Sequence, residues 1–339
     1  MHVNTTDRII PSTRAALVTR YTQLMDEAGA PVGRLLSRAG IPEEVLEHPA
    51  AAIPLESGFR LAELACQSLG TEHLGAHIGL AATFDDLGPY GDLLRRSVTL
   101  GDYLRRGIRF YNMLITGQRF WLSEHGSHVR LNLTYAGRPG VGPYQSELES
   151  LVTSVLNIRH ALPGWTPGEI SLSYQAGEPL PAIELFSEAR VLRGAGQTYI
   201  TIPRGMLSLP FKTKAHSGMP NASRTFPARS LPEDLAGLVR HQIACLKGVH
   251  GSRIDIVAES LTLSRRTLQR ELATQGLSFS ALLTDVVMAQ AMRWLENSEK
   301  PIFEIAFDLG YSNASNFTRA FRRHTGLAPQ TFRDANRPT

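Results

Sequence analysis

Residues 253–261 read RIDIVAESL and residues 301–309 read PIFEIAFDL, and these two stretches decide the fold of the C-terminal third. Ile254, Val257, Ala258 and Leu261 stand at i, i+3, i+4 and i+7. Ile302, Ile305, Ala306 and Leu309 repeat that spacing 48 residues later. The spacing places four apolar side chains on one face of an α-helix. The small alanine in the third place lets another helix cross closely. A short turn follows each stretch, LTLS at 261–264 and LGYSN at 309–313. A second helix then follows, with Leu268 and Leu272 inward in the first copy and Phe317 and Phe321 in the second. These pairs are offset by 49 because the second turn is one residue longer. The pattern is helix, tight turn, helix, occurring twice.

The outward faces of the two second helices carry the chemistry. Ser264 suits an N-cap. Counting 100° per residue from it, Arg266, Gln269 and Arg270 point away from Leu268 and Leu272. Arg and Gln are shaped for paired hydrogen bonds to guanine and adenine edges in a major groove. The matching offsets in the second copy give Ser315, Thr318 and Arg319, with Asn316 beside them and no acidic residue on either stripe, and Ser315, Asn316 and Arg319 are the expected base readers there. Ser264, Arg265, Thr318, Arg322 and Arg323 flank the stripes and are the expected phosphate contacts. A single basic face is often only a solvated surface. Two in register, each behind the same supporting helix, argue for double-stranded DNA as partner.

Charge placement agrees. The chain of 339 residues carries net charge +4. From Arg240 onward there are 13 Lys and Arg against 9 Asp and Glu, while residues 1–239 hold 22 of each. The basic excess therefore lies wholly in the segment with the repeated units, as expected if only that segment meets a polyanion.

The stretches IDIVAESLTLSRRTLQRELATQGLSFSALL and IFEIAFDLGYSNASNFTRAFRRHTGLAPQTFR resemble the two halves of the DNA-binding domain of the AraC/XylS transcription regulators. The second includes that family's run from IA through LGY, F.RAFRR and G..P...R. The resemblance implies an all-helical, bilobed domain whose two recognition helices enter successive major grooves on one DNA face. It departs at Val287-Met288, where the family often has basic residues, so neither a backbone contact nor a lobe-lobe brace is expected from those two positions, while the fold is. The stretches FDDLGPYGDLLRRSVTLGDYLRRGIRFYNML and ITIPRGMLSLPF are similar to one branch of the family, whose N-terminal domain is named for arabinose binding. The family leans towards activation, which makes RNA polymerase a further candidate partner.

Before the C-terminal third the periodicity is mixed. Helical spacing is read over 13–28, 55–69, 141–162 and in two pieces between 90 and 114. Strand alternation is read over 118–124 and 128–135 around a His125-Gly126-Ser127 loop, and again over 169–174 and 198–202. The expected fold is α+β, helices on a small, mostly antiparallel sheet, followed by an all-α domain with two helix-turn-helix units. Residues 212–232, with three prolines and no period, are read as a linker between a sensing or self-association domain at 1–211 and the DNA-binding domain at 233–339. Tyr103, Arg109, Tyr111, Arg119, Trp121 and Arg130 form an aromatic and arginine-rich stretch that could line a pocket for an anionic effector, with Arg109, Tyr111, Arg119 and Trp121 as the candidate contacts.

Other chemistry is weakly represented. His73 and His77 stand at i, i+4 but without an obvious third metal ligand. Cys66 and Cys245, the only two cysteines, make neither a disulfide framework nor a four-thiolate zinc site and fit a reducing cytosol. There is no GxSxG, no P-loop and no dinucleotide fingerprint, so neither a catalytic site nor a cofactor is expected. No secretory signal and no membrane-length apolar run is seen, and a cytoplasmic location is the expectation. Two alternatives stay open: an architectural DNA binder without effector, and an N-terminal enzyme with accessory DNA binding. A homodimer is a further candidate assembly.

Overall fold

The computed structural model describes residues 8–135, 137, 139–175, 184–211, 228–246 and 254–336. The chain divides into two compact units, one of Ile10–Glu233 and one from Asp234 onward, to which Ile9 is joined by a β-bridge with Asp234.

In the N-terminal unit, two short strands, β1 (Ser12–Arg14) and β2 (Ala52–Pro54), pair antiparallel. Around them lie α1 (Ala15–Glu27), α2 (Val32–Ala39), α3 (Glu43–Leu46), α4 (Leu55–Leu69) and α5 (Leu74–Leu80). Then follow α6 (Gly88–Arg95) and α7 (Leu100–Phe110), separated by Thr99, whose hydroxyl caps α7 by accepting from the Asp102 N–H at 3.1 Å. Strands β3 (Gln118–His125) and β4 (His128–Tyr135) form the expected hairpin, and α8 (Val141–Ala161) follows.

Strands β5 (Glu169–Leu172), β6 (Arg190–Arg193) and β7 (Thr198–Pro203) complete a sheet of order β3-β4-β7-β5-β6. Its pairs are antiparallel except β5 with β6. Strand β6 is not legible in the sequence, because RVLR is short and half-exposed and carries no alternation. The core runs between this sheet and α8, whose Leu148, Leu151, Val152, Val155 and Ile158 are sealed from solvent.

Helix α8 lies unusually close to α5. A Cβ on Gly75 would stand 1.9 Å from the Gln145 carbonyl oxygen, and one on Gly79 would stand 2.8 Å from the Val152 Cβ. Only glycine at i and i+4 permits that crossing. Buried polar groups along α8 are satisfied by α5 on one side and by the sheet on another. Gln145 accepts from the Gly75 N–H at 2.9 Å, and Glu147 accepts from Ser173 at 2.6 Å and Thr198 at 2.7 Å. Arg14, fully buried, donates to the carbonyls of Met113, Ala50 and Arg229. Part of the segment expected as linker is thus packed. The Leu231 side chain is buried and its N–H donates to the Asn112 carbonyl at 2.9 Å, while residues 212–227 of that expectation lie outside the described residues.

The second unit contains α9 (Leu235–Cys245), α10 (Ile254–Ser260), α11 (Arg265–Thr274), α12 (Phe279–Asn297), α13 (Ile302–Asp308), α14 (Ala314–Thr325) and α15 (Pro329–Asn336). Helix α12 packs on α9 from one lobe and on α13 and α15 from the other, so one continuous helix serves both. Val287 and Met288, the departure from the family pattern, are buried in the core of the second lobe. Among the described residues no single helix is long and apolar enough to cross a membrane.

Candidate nucleic-acid interface and effector cavity

The two helix-turn-helix units are built alike down to their turns. In the first, the Leu263 N–H donates to the Ala258 carbonyl and the Thr262 N–H to the Glu259 carbonyl, both at 2.8 Å. In the second, Tyr311 donates to Ala306 and Gly310 to Phe307, both at 2.9 Å. This double bond ends a helix through a residue in the left-handed region. Gly310 takes that conformation at φ 91°, and Thr262 takes it at φ 57° despite its branched side chain. Ala258 and Ala306, 1 % exposed each, sit where the supporting helices meet their partners.

Each recognition helix then starts on a side-chain cap. Ser264 Oγ accepts from the Thr267 N–H at 3.1 Å, and Asn313 Oδ1 accepts from the Asn316 N–H at 2.8 Å. The sequence reading places Asn313 in the turn without a role; its signal is that it stands where Ser264 stands in the first copy. Behind the caps, Leu268 and Leu272 of α11 and Phe317 and Phe321 of α14 are fully buried. Phe321 packs edge-on against Phe332 of α15 with centroids 5.4 Å apart.

With those faces sealed, the opposite faces meet solvent. Ser264, Arg265, Arg266, Gln269 and Arg270 are exposed in the first unit, and Ser315, Arg319, Arg322 and Arg323 in the second. Asn316 and Thr318 are half-buried beside them. Two details are not legible in the sequence. Arg270 pairs with Glu271 at 3.1 Å, so an acidic group does touch the first stripe. In the second, Arg319 donates to Asn316 Oδ1 at 2.6 Å while Asn316 Nδ2 donates to Ser312 Oγ at 3.1 Å. Asn316 therefore holds Arg319 in place, and both its amide groups are engaged. Arg333, the arginine of G..P...R, is buried and donates to the Lys300 carbonyl, so its role is to fix α15.

Residues 29–211 match the family described as "Arabinose-binding domain of AraC transcription regulator, N-term", and residues 257–335 match "Helix-turn-helix domain". The first match alone covers more than half of the chain. This chain belongs to the AraC family of transcription regulators. It is similar to the ornithine utilization regulator of Pseudomonas aeruginosa, at 24% identity over 98% of both chains. It is also similar to the urease operon transcriptional activator of Escherichia coli, at 35% identity over 80 residues, 24% of this chain and 27% of that one. Among solved structures, the transcriptional regulator CdpR from Pseudomonas aeruginosa matches at 24% identity, covering 77% of this chain and 86% of that chain with a TM-score of 0.35. The relatives are named as regulators, and this AraC-type protein is a DNA-binding transcription regulator rather than an enzyme.

The N-terminal unit of the regulator encloses a cavity with about 110 Å³ within reach of water centres. Of the six residues in the aromatic and arginine-rich stretch, Tyr103 and Tyr111 line this cavity. Side chains alternate along β3, and Phe120 is the one turned to the cavity. Arg119 is exposed, Trp121 half-buried on the same face, and Arg109 exposed with its guanidinium 5.2 Å from the Phe110 ring centre. No arginine lines this cavity. Its polar wall comes instead from α8, where Ser146, Glu149, Ser150, Thr153, Ser154 and Asn157 form one helical stripe. The histidines at i, i+4 have different surroundings, His73 buried with Nδ1 3.1 Å from the Tyr144 hydroxyl and His77 exposed.

Proposed function

We propose that the protein is a cytoplasmic, effector-responsive activator. On this reading, residues 1–211 sense a small molecule, self-associate, or do both, 212–232 connect, and 233–339 read a promoter site. The observation that carries the DNA-reading part is the pair of capped helices, α11 and α14, each sealed on one face and presenting Arg and amide side chains on the other. Arg266, Gln269 and Arg270 read bases from the first helix, and Ser315, Asn316 and Arg319 from the second. Ser264, Arg265, Thr318, Arg322 and Arg323 anchor to phosphates and fix register. Activation, by contact with RNA polymerase, draws support from the urease operon relative, which is named as an activator and shares the DNA-binding segment. The effector reading draws support from the cavity.

The test is selection of random double-stranded DNA by the purified full-length protein, with and without an extract of cell metabolites. One bipartite motif is expected, with enrichment that changes when metabolites are added. Retention of all sequences alike would refute sequence-specific regulation. An unchanged enrichment would remove the effector.

A further inference from the structure

The cavity of the N-terminal unit is chemically lopsided. Its walls from α4, α6, α7 and β3 present Phe59, Leu94, Leu104, Ile108 and Phe120, which offer a ligand no hydrogen bond. A polyol needs a partner for each hydroxyl, or it loses them all on leaving water. A sugar is therefore a poor fit to those walls.

The polar stripe on α8 is largely occupied by the protein itself. Ser154 Oγ donates to the Ser150 carbonyl at 2.7 Å. Ser150 Oγ accepts from Gln118 Nε2 at 3.3 Å. Tyr111 donates its hydroxyl to Gln118 Oε1 at 2.9 Å, and Tyr90 donates to the Gly107 carbonyl at 3.0 Å. Glu149 differs. Its Oε2 accepts from the Tyr21 hydroxyl at 3.1 Å, but its Oε1 has no hydrogen-bond partner among the described residues. The nearby cation, Arg20 of α1, makes its close ion pair with Asp86 at 2.6 Å. An acceptor-only carboxylate thus lines a mostly apolar cavity with one oxygen left to receive a donor.

Building on the effector reading above, we propose that this cavity takes a small, mainly apolar primary amine whose ammonium group is received by Glu149. The apolar body fills the space against Phe59, Ile108 and Phe120, and the charge pairs with the carboxylate under cover from water. Burial alone pushes the Glu149 carboxyl up to about 7, against the downward pull of Arg20 and Tyr21. Tyr21, Tyr111 and Tyr135, the other titratable groups around it, are all pushed upward by burial and stay neutral through this range. An ammonium ligand prefers the ionised carboxylate, so amine affinity should fall about tenfold between pH 8 and pH 6.

The experiment titrates full-length protein with n-alkylamines from butylamine to decylamine, and with three near-isosteres: 2-phenylethylamine, 2-phenylethanol and phenylacetate. Calorimetry and thermal melting are the readouts. The expected result is amine binding at least tenfold tighter than the alcohol or the carboxylate, with an optimum inside the alkyl series. Glu149→Gln should erase the amine preference while leaving alcohol affinity within about threefold. A failure of any amine to bind would overturn the inference, as would equal binding of amine, alcohol and carboxylate. So would an amine preference that survives Glu149→Gln. The wild-type pH series tests the same point without a variant, and a flat profile counts against it. A metabolite response in the DNA selection without amine binding would keep the effector reading and discard this ligand class.

Discussion

Inserting five base pairs between the two recognition boxes of a selected site should abolish most specific binding, and the structure sets how much. Helix α12 has 19 residues, a length of about 28 Å at 1.5 Å per residue. It is one uninterrupted helix shared by both lobes, with Met288, Ala291 and Leu295 locked in the core of the second. Successive major grooves on one face lie about 34–36 Å apart, which suits two recognition helices held across such a brace. Five base pairs turn one box through half a helical turn, out of reach of a rigid partner. The insertion therefore removes the base readout of one unit. Taking Arg319, positioned by Asn316, as the paired base reader of that unit at about 1–3 kcal/mol gives roughly fivefold to 150-fold in Kd. Fluorescence anisotropy at one fixed salt concentration measures this, with unrelated DNA as the reference. A ten-base-pair insertion restores the face but not the distance, so a rigid brace should not recover. Unchanged binding after five, or full recovery after ten, would refute the argument, the first by showing that one unit reads alone and the second by showing that the lobes are tethered rather than braced.

The other expectations concern single residues. Arg270→Ala should cost about 1–3 kcal/mol and relax preference at one base pair, while Glu271→Gln should strengthen binding by up to about fivefold, because the exposed pair that holds Arg270 is worth at most about 1 kcal/mol. A weakened Glu271→Gln complex would show that the pair positions Arg270 instead of restraining it. Thr262→Gly should stabilise the C-terminal domain by about 0.5–1 kcal/mol in urea, since glycine removes the penalty at φ 57° but gives part of it back as chain entropy. Loss of stability there would mean that the Thr262 hydroxyl bond to the Leu261 carbonyl outweighs the backbone term. Glu149 has a folded carboxyl raised above its unfolded value of 4.5, so the folded state binds the extra proton. Its contribution is fully favourable below 4.5 and is lost as pH rises towards about 7, a swing of at most about 3 kcal/mol. Ligand-free Glu149→Gln should lack that slope in melts taken from pH 5 to 8, and an unaltered slope would assign it to other groups.

Order along the chain explains what was legible. The helix-turn-helix units rest on interactions between neighbours in sequence: apolar residues at i, i+3, i+4 and i+7, a turn of four or five residues, and a cap at the head of the next helix. Each is a local rule, so Leu268, Leu272, Phe317 and Phe321 could be turned inward and their opposite faces outward from spacing alone. The same rules place α4, α8 and the β3-β4 hairpin near their observed bounds. The ion pair of Arg270 with Glu271 escaped because helix-wheel counting assigns faces, not side-chain reach.

The N-terminal cavity belongs to the other class. Arg119, Phe120 and Trp121 alternate between two faces of β3, and all three are large, so the sequence does not say which face turns inward. The sheet decides it, by pairing β3 with β4 and setting Phe120 against the cavity. Strand β6 gains its place only through parallel pairing with β5, a partner across a long connection. In α8, Ser146, Glu149, Ser150 and Ser154 read as an ordinary solvated stripe, since polar residues at helical spacing look alike whether they face water or a cavity. What encloses them is the approach of α1, α4, α6 and α7, elements from distant parts of the chain, around the cavity. Periodicity records which side chains share a face; what that face meets is decided by the packing of elements far apart in sequence.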